Sequence, residues 1–286
     1  MVSKLLYQLD TDITPSVFDS VVAYDGGADH VIGHANISAA MVGPLVEGAI
    51  YTRGPREKQF TALFVGGSRI DEAEAVLGAV RAKFFGKFCV SVMMDSNGCN
   101  TTAAAAVALL AKAAPLTGAS ALVLAGTGPV GMRAAAMLAL EGAQVTITGR
   151  SLEKTEAVSA AIARRFGVKV IARAAADGET REGLVRASEV VLAAGAAGHE
   201  LAGAASWQDS PITTRVADFN PEPPFGLGGL AAGDKAKEYG GKLAFGALGI
   251  GGLKLKLHRA CIGRLFTAND LVLDAENILA IAKEMA

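Results

Sequence analysis

The chain has 286 residues, a formal net charge of -1 and 51% hydrophobic residues. That length accommodates two modest domains with buried cores, and the near-neutral balance gives no electrostatic reason to expect nucleic acid or an anionic membrane as a partner. Three widely spaced cysteines, Cys89, Cys99 and Cys261, contain no CxxC pair, which argues against a disulfide framework and for a reducing, cytoplasmic setting.

The opening residues reach acid at Asp10 and Asp12 before a signal-length apolar run develops. The longest uncharged Ala-rich segment, Thr101 to Ala111, is too short for a bilayer, so no targeting or membrane segment is expected. Lys4 to Leu9 reads as a strand, and Thr14-Pro15 as a helix start with a capping hydroxyl and proline in the first turn. Tyr24 to His30 reads as a turn, then His30 to Ala35, Ala49 to Arg53 and Thr61 to Val65 as strands, the last ending in Gly66-Gly67. Ala73, Val76, Leu77, Val80 and Phe84 recur at helical spacing, which predicts a helix over 70–85, and Phe88 to Met94 is the next strand. Alternating β and α in this way implies a small open sheet. A polar loop, Asp95 to Thr102, then leads into a helix over Thr102 to Ala114, which Pro115 and Gly118 terminate.

From Ala121 to Ser151 the order is strand, glycine series, Ala/Leu-rich helix and β-branched strand, the unit expected for a dinucleotide-binding crossover. In Gly126-Thr127-Gly128-Pro129-Val130-Gly131, Gly126 is expected to turn the chain off the strand. Gly128 lets backbone N–H groups approach a pyrophosphate, and Gly131 lets the helix lie close to the strand. Pro129 suits the first turn, whose bare N–H groups would face phosphates. An NAD site usually carries an acid at the end of the second strand to bind the ribose 2′-hydroxyl. Here that position reads Gly149-Arg150-Ser151, with Lys154 one turn on, so NADP is expected, with weaker use of NAD. Arg150 would fork onto the 2′-phosphate, and Ser151 would cap the next helix and offer its hydroxyl.

Beyond it, Val168 to Ala172 reads as a strand and Gly178 to Ala187 as a helix. Glu189 to Ala194 is a strand ending in Gly195-Ala196-Ala197-Gly198, and Thr214 to Ala217 another, ending in Asp218-Phe219-Asn220-Pro221. Open parallel sheets bind ligands at the carboxyl ends of their strands, so Ala194, Gly195, Ala196 and Asn220 are assigned to the cofactor, with Asn220 meeting the nicotinamide. Phe245 to Phe266 is a glycine-rich entry to a basic helix, with Lys254 and His258 on one face and Lys256 and Arg259 on another. Two closing helical segments, the second from Ala275 to Met285, are expected to return to the first domain. The expected architecture is α/β: a Rossmann-type parallel sheet domain over 113–252, a smaller α/β substrate domain over 1–112 and 253–286, and a cleft between them.

Conventional catalytic machinery is sparse. The four histidines, His30, His34, His199 and His258, make no metal pattern, and none of the four tyrosines is followed by lysine four residues later. GxSxG and GxxxxGK[ST] are missing too. Hydride transfer to a nicotinamide needs none of these, only a donor carbon held against the ring in a suitable field.

Met94 to Ala105, Gly246 to Arg259, Asp10 to Asp19 (DTDITPSVFD), Tyr24 to His30 and Ile50 to Gln59 resemble segments of the bacterial NAD(P)-dependent methylene-tetrahydromethanopterin dehydrogenases of methylotrophs. The resemblance covers nearly the whole chain. That family is distantly similar to the methylene-tetrahydrofolate dehydrogenase/cyclohydrolases, whose YxxxK lysine is missing here, so dehydrogenase without cyclohydrolase activity is implied. The implied reaction takes hydride from the one-carbon bridge of methylene-tetrahydromethanopterin, with methylene-tetrahydrofolate as a further candidate, and yields the methenyl-pterin and NADPH. The implied catalytic set is Lys254, Lys256 and Asp19; Asp95, Asn97, Asn100, Thr102 and His258 are the implied substrate-binding set. A homo-oligomer, a trimer, is implied as well. Two other readings stay open on the residues alone: another two-lobe NADP enzyme such as a shikimate dehydrogenase, and a non-catalytic NADP-sensing module.

Overall fold

The computed structural model describes residues 2–286. β1 (Leu5–Asp10) leads to α1 (Val17–Asp25), which starts later than expected: its cap is Ser16, whose hydroxyl accepts the Asp19 N–H at 3.2 Å. Thr14 does not cap it: Ser16, itself extended (φ -62°, ψ 120°) and held through its N–H by Asp10 Oδ2 at 2.9 Å, takes the cap position two residues later. After β2 (His30–His34), the expected strand at Ala49 to Arg53 is the end of a helix, α2 (Val42–Tyr51). Val42, Val46, Ala49 and Ile50 are buried at helical spacing, and Pro44 is tolerated in the first turn, so tertiary burial decides a short apolar run that either state can use.

β3 (Thr61–Gly66), α3 (Ile70–Ala82) and β4 (Ser91–Met94) follow, and α4 (Cys99–Ala113) begins three residues before the expected start at Thr102. Left-handed Asn97 (φ 47°) and Gly98 (φ 68°) complete the turn early. The Asp95 carboxylate then accepts the N–H groups of Asn100 at 2.8 Å and Thr101 at 3.1 Å, which fixes the helix start.

The central crossover is β5 (Ser120–Leu124), α5 (Pro129–Leu140) and β6 (Gln144–Gly149), continued by α6 (Leu152–Phe166). β7 (Ile171–Ala174) lies three residues beyond the expected Val168, since Gly167 caps α6 in the left-handed region (φ 69°) and the chain needs a few residues to recover. α7 (Gly178–Arg186), β8 (Val190–Ala193), α8 (Ala204–Gln208) and β9 (Arg215–Asp218) come next. An unforeseen hairpin follows, β10 (Lys235–Tyr239) and β11 (Lys242–Phe245). Its exposed Lys and Glu conceal the strand, but Gly240-Gly241, at φ 56° and 84°, is the turn signal. α9 (Ala247–Leu265) is the basic helix; the first of the two closing helical segments is instead a turn and a short strand, β12 (Val272–Leu273), ahead of α10 (Ala275–Met285).

The chain divides into two compact units, residues up to Thr101 with Leu255–Ile281, and Thr102–Lys254 with Ala282–Ala286. The first holds a five-stranded, all-parallel sheet of order β12-β4-β3-β1-β2. Every residue of central β3 is buried, the continuous run expected when helices cover both faces. Leu9, Leu63, Val65, Val92 and Met94 from the strands meet Val46, Ile50, Val76 and Val80 from the helices in its core. The second unit holds seven strands, β10-β11-β9-β8-β5-β6-β7, all parallel except β10 against β11. Its core gathers Leu122, Leu124, Val191 and Val216 around Trp207, whose indole N–H donates to the Gly228 carbonyl at 2.9 Å. No helix among the described residues is long and apolar enough to cross a membrane.

Candidate functional site

In the second sheet the strand order reverses between β5 and β8, and such a switch point opens a crevice at the carboxyl ends. A cavity of about 450 Å³ lies there. Of the residues assigned to the cofactor from sequence, Thr127, Gly128, Arg150, Ala194, Gly195 and Ala196 line it. Gly126, Pro129, Val130, Gly131, Ser151, Lys154 and Asn220 are not among its lining residues.

The glycines divide their work differently from the expectation. The left-handed turn off β5 is taken by Ala125, at φ 51°, and not by Gly126. A Cβ on Gly131 would sit 2.7 Å from the Gly126 Cα and 3.0 Å from the Ala194 Cβ, so Gly126 and Gly131 let α5 lie against the strand ends. A Cβ on Gly128 would meet nothing within 4 Å; its backbone faces open space. Gly128 is also the cap of α5 and supplies no side chain, and Pro129 follows it, so the first-turn N–H groups are bare. An uncapped helix start beside an open glycine fits a pyrophosphate.

Arg150 is exposed at the end of β6. Ser151 caps α6 by accepting the Lys154 N–H at 3.5 Å, and Lys154 is exposed in the first turn. Asn220 does not project into the cavity. Its Oδ1 accepts from the N–H of Gly198 at 3.2 Å and of Glu222 at 2.9 Å, and its Nδ2 donates to the Pro224 carbonyl at 2.8 Å. With both its Oδ1 and its Nδ2 engaged by main chain, Asn220 holds the glycine loop after β8 in place. Sequence reasoning missed Arg181, His199 and Glu200, which also line the cavity. Ending β7 at Ala172 hid the first, for the Ala175-Ala176 loop that Arg181 binds belongs to the true end of that strand.

In the first unit the carboxyl ends of β1, β3 and β4 gather buried polar side chains. Asp19 is 6% exposed and Asp10 1%, and both approach Gly66, where an added Cβ would lie 3.7 Å and 3.4 Å from their respective Oδ2 atoms. Asp95 is fully buried; besides capping α4 it accepts the Thr101 hydroxyl at 2.6 Å, and its Oδ2 lies 3.8 Å from His258 Nδ1. His258 is also fully buried, its ring stacked on Phe64 with centroids 5.6 Å apart. Asn100 donates to the Met94 carbonyl at 2.8 Å and to Asp274 Oδ1 at 3.2 Å. The structure thus joins Asp95, Asn100 and His258 in one buried network, half-buries Thr102 and leaves Asn97 and Lys256 exposed; Lys254 is partly exposed. Burial, with Asp95 adding a smaller push, raises the Cys261 thiol to about 12, so it stays protonated and unreactive.

Residues 17–97 match the family described as methylene-tetrahydromethanopterin dehydrogenase, N-terminal. Over the full length of both chains, the protein is 57% identical to Bifunctional protein MdtA of Methylorubrum extorquens. It is 28% identical, again end to end, to an NAD(P)-dependent methylenetetrahydromethanopterin dehydrogenase of the same organism. Among solved structures, a shikimate 5-dehydrogenase from Mycobacterium fortuitum overlays with a TM-score of 0.51 at 20% identity, covering 98% of this chain and 97% of that one. The ligand-free 5-ketofructose reductase of Gluconobacter sp. strain CHM43 gives 0.50 at 17%, covering 99% of each chain. At those identities the two structures share the α/β fold expected from the sequence and nothing narrower.

Proposed function

The chain belongs to the methylene-tetrahydromethanopterin dehydrogenase family, and we propose that it moves hydride from methylene-tetrahydromethanopterin to NADP, giving the methenyl-pterin and NADPH. The observation that carries this reading is the cavity over the second sheet. An uncapped helix start and open Gly128 suit a pyrophosphate, and β6 ends on Gly149-Arg150 where an NAD-selective site would end on a carboxylate. Thr127 and Gly128 would hold the pyrophosphate, Arg150 the 2′-phosphate, and Ala194 to Ala196 the nicotinamide end. Bound NADP supplies the carbon that accepts the hydride.

The chain's own contribution is orientation and field. The oxidised pterin is a delocalised cation stabilised by two ring nitrogens, so no general base is required. Buried Asp10 and Asp19 put negative charge at the carboxyl ends of β1 and β3, favourable to that cation and to the N–H edge of a pterin. Lys256, exposed on α9, and Lys254, which shares the helix, are assigned to the remote part of the pterin, and exposed Asn97 to its edge. Asn100 and His258 act from behind, holding the ends of β4, α4 and α9 in register. Methylene-tetrahydrofolate has the same reacting ring atoms and is the second substrate to compare. The shikimate-dehydrogenase reading has support at the level of fold alone.

We assign the enzyme to the cytoplasm as a homo-oligomer, a trimer. All three cysteines are unpaired and buried, which suits a reducing compartment, and Val17, Val21 and Tyr24 expose an apolar stripe on α1 suited to self-association. Steady-state NAD(P)H absorbance with both methylene-pterins and both cofactors tests the activity. Arg150→Glu is expected to weaken NADP by about a hundredfold while sparing NAD, since it trades charge-assisted hydrogen bonds for repulsion. Equal loss for both cofactors, or turnover with neither pterin, refutes the proposal.

A further inference from the structure

Arg181 occupies the first turn of α7, where Asp177 fixes the helix start by accepting both the N–H and the hydroxyl of Thr180 at 2.8 Å. Its side chain runs to two loops. Nε donates to the Leu201 carbonyl at 2.6 Å, and Nη1 donates to the carbonyls of Ala176 at 2.7 Å and Ala175 at 3.4 Å. The guanidinium plane is thereby set by main chain following β7 and β8. Its rotamer freedom is spent before any ligand arrives.

Carbonyl dipoles orient this cation but do not neutralise it. Among the described residues no carboxylate forms an ion pair with Arg181, and nothing accepts a hydrogen bond from its Nη2. The neighbouring acids are chiefly committed elsewhere: Asp177 to Thr180, with Arg181 acting on it only as the last and smallest influence, and Glu182 to Arg186 at 3.2 Å and to the Gly203 N–H at 3.3 Å. Glu200 is the one carboxylate among the residues lining the cavity. A charged, immobilised guanidinium with unused donors on a cavity wall is arranged for an anion.

Its place in the sheet says which anion. The Ala175 N–H donates to the Gly149 carbonyl at 2.9 Å, so the loop that Arg181 grips is hydrogen-bonded to the residue next to Arg150. Arg150 and Arg181 line the same cavity, one exposed and the other fixed by three hydrogen bonds. We infer that Arg181 is a second specificity-determining residue, whose Nη2 binds the 2′-phosphate of an adenine dinucleotide from the side opposite Arg150. The inference rests on the NADP reading and deepens it. Arg150 is reached from the β6 end and is free to follow the ligand; Arg181 supplies a reference position that a flexible arginine alone does not.

Calorimetry on the full chain with NADP, NAD, 2′,5′-ADP and 5′-AMP tests it without depending on turnover. Arg181→Met, which keeps the aliphatic stem, is expected to weaken NADP and 2′,5′-ADP by about tenfold to a hundredfold and to leave NAD and 5′-AMP within about twofold. Arg181→Lys keeps the charge but loses the planar fork, so it should fall between, and it serves if the Met variant does not fold. Equal weakening of all four ligands would show Arg181 to be a strap between loops and would overturn the inference, as would four unchanged affinities. Failure of the unmodified protein to bind NADP at all would strike the underlying cofactor reading instead, so the two failures are told apart.

Discussion

At the carboxyl ends of β5, β6 and β8 the polar surface is mostly main chain: the bare first turn of α5, Gly128 with nothing within 4 Å of an added Cβ, and the Ala194 to Ala196 loop. At the carboxyl ends of β1, β3 and β4 it is mostly side chain: Asp10, Asp19, Asp95, Asn100 and His258, each less than 7% exposed. The first arrangement suits a ligand whose phosphates need N–H donors and close approach. The second suits one whose recognition depends on a fixed field from buried charge. Backbone sites depend on glycine spacing and tolerate little added volume; side-chain sites depend on complete hydrogen bonding and tolerate little subtraction.

Gly131→Val is expected to show the larger effect. Its branched Cβ would have to displace the Gly126 backbone and the Ala194 side chain, costing about 3 kcal/mol or more of stability, and NADP affinity should collapse with it. Denaturant unfolding together with calorimetry measures both. A stable variant that binds NADP normally would mean that α5 is not held to the strands by close backbone approach, and the backbone half of the comparison would fail.

Asp95→Ala tests the other region. It leaves the N–H groups of Asn100 and Thr101 and the Thr101 hydroxyl without their buried acceptor, at a cost of about 2–3 kcal/mol. Asp95→Asn retains one carbonyl acceptor and should lose about half as much. Both are expected to lower turnover with the methylene-pterin while NADP affinity stays unchanged, since the cofactor cavity draws on residues of the other unit. If turnover and pterin KM stay normal in a destabilised variant, the network is structural and the pterin is held elsewhere.

This contrast also explains what was legible in the chain. Gly126, Gly128, Gly131 and Arg150 are readable because close backbone approach, an open helix start and a strand-end charge each demand one residue type at one spacing, whereas the sharp turn off β5 does not, since Ala125 takes it. Asn100, Asn220 and His258 are equally polar in sequence, yet they face inward, because their partners are the carbonyls of Met94 and Pro224 and a carboxylate 163 positions away at Asp95. For His258 no local pattern announces a partner so distant, while Asn100 and Asn220 bond to carbonyls six and four residues away, which any nearby residue offers equally. Arg181 escaped for a related reason: its hydrogen bonds go to backbone of two loops, and carbonyls carry no residue signature. The α2 helix was misread because four buried residues at helical spacing look, over Ala49 to Tyr51, like a short strand.

The smallest expected effect concerns a carboxylate that the main-chain region does contain. Asp218, at the end of β9, is fully buried, and burial raises its carboxyl above the ordinary range although the N–H groups of Asn220 and Leu227, each at 2.9 Å, oppose the shift. A raised folded-state value means the native state holds its proton more tightly than the unfolded chain does. The stabilisation is therefore complete below the ordinary carboxylate range and is lost as pH rises through the folded value. Exposed Asp177 runs the other way: Thr180, chiefly through its N–H, lowers it, so its contribution is present above the ordinary range and lost on acidification through the lowered value. Urea midpoints measured from acid to neutral pH should fall less steeply with rising pH in Asp218→Asn than in the unmodified protein. An unchanged slope would mean that Asp218 is stabilised as an anion by its N–H donors.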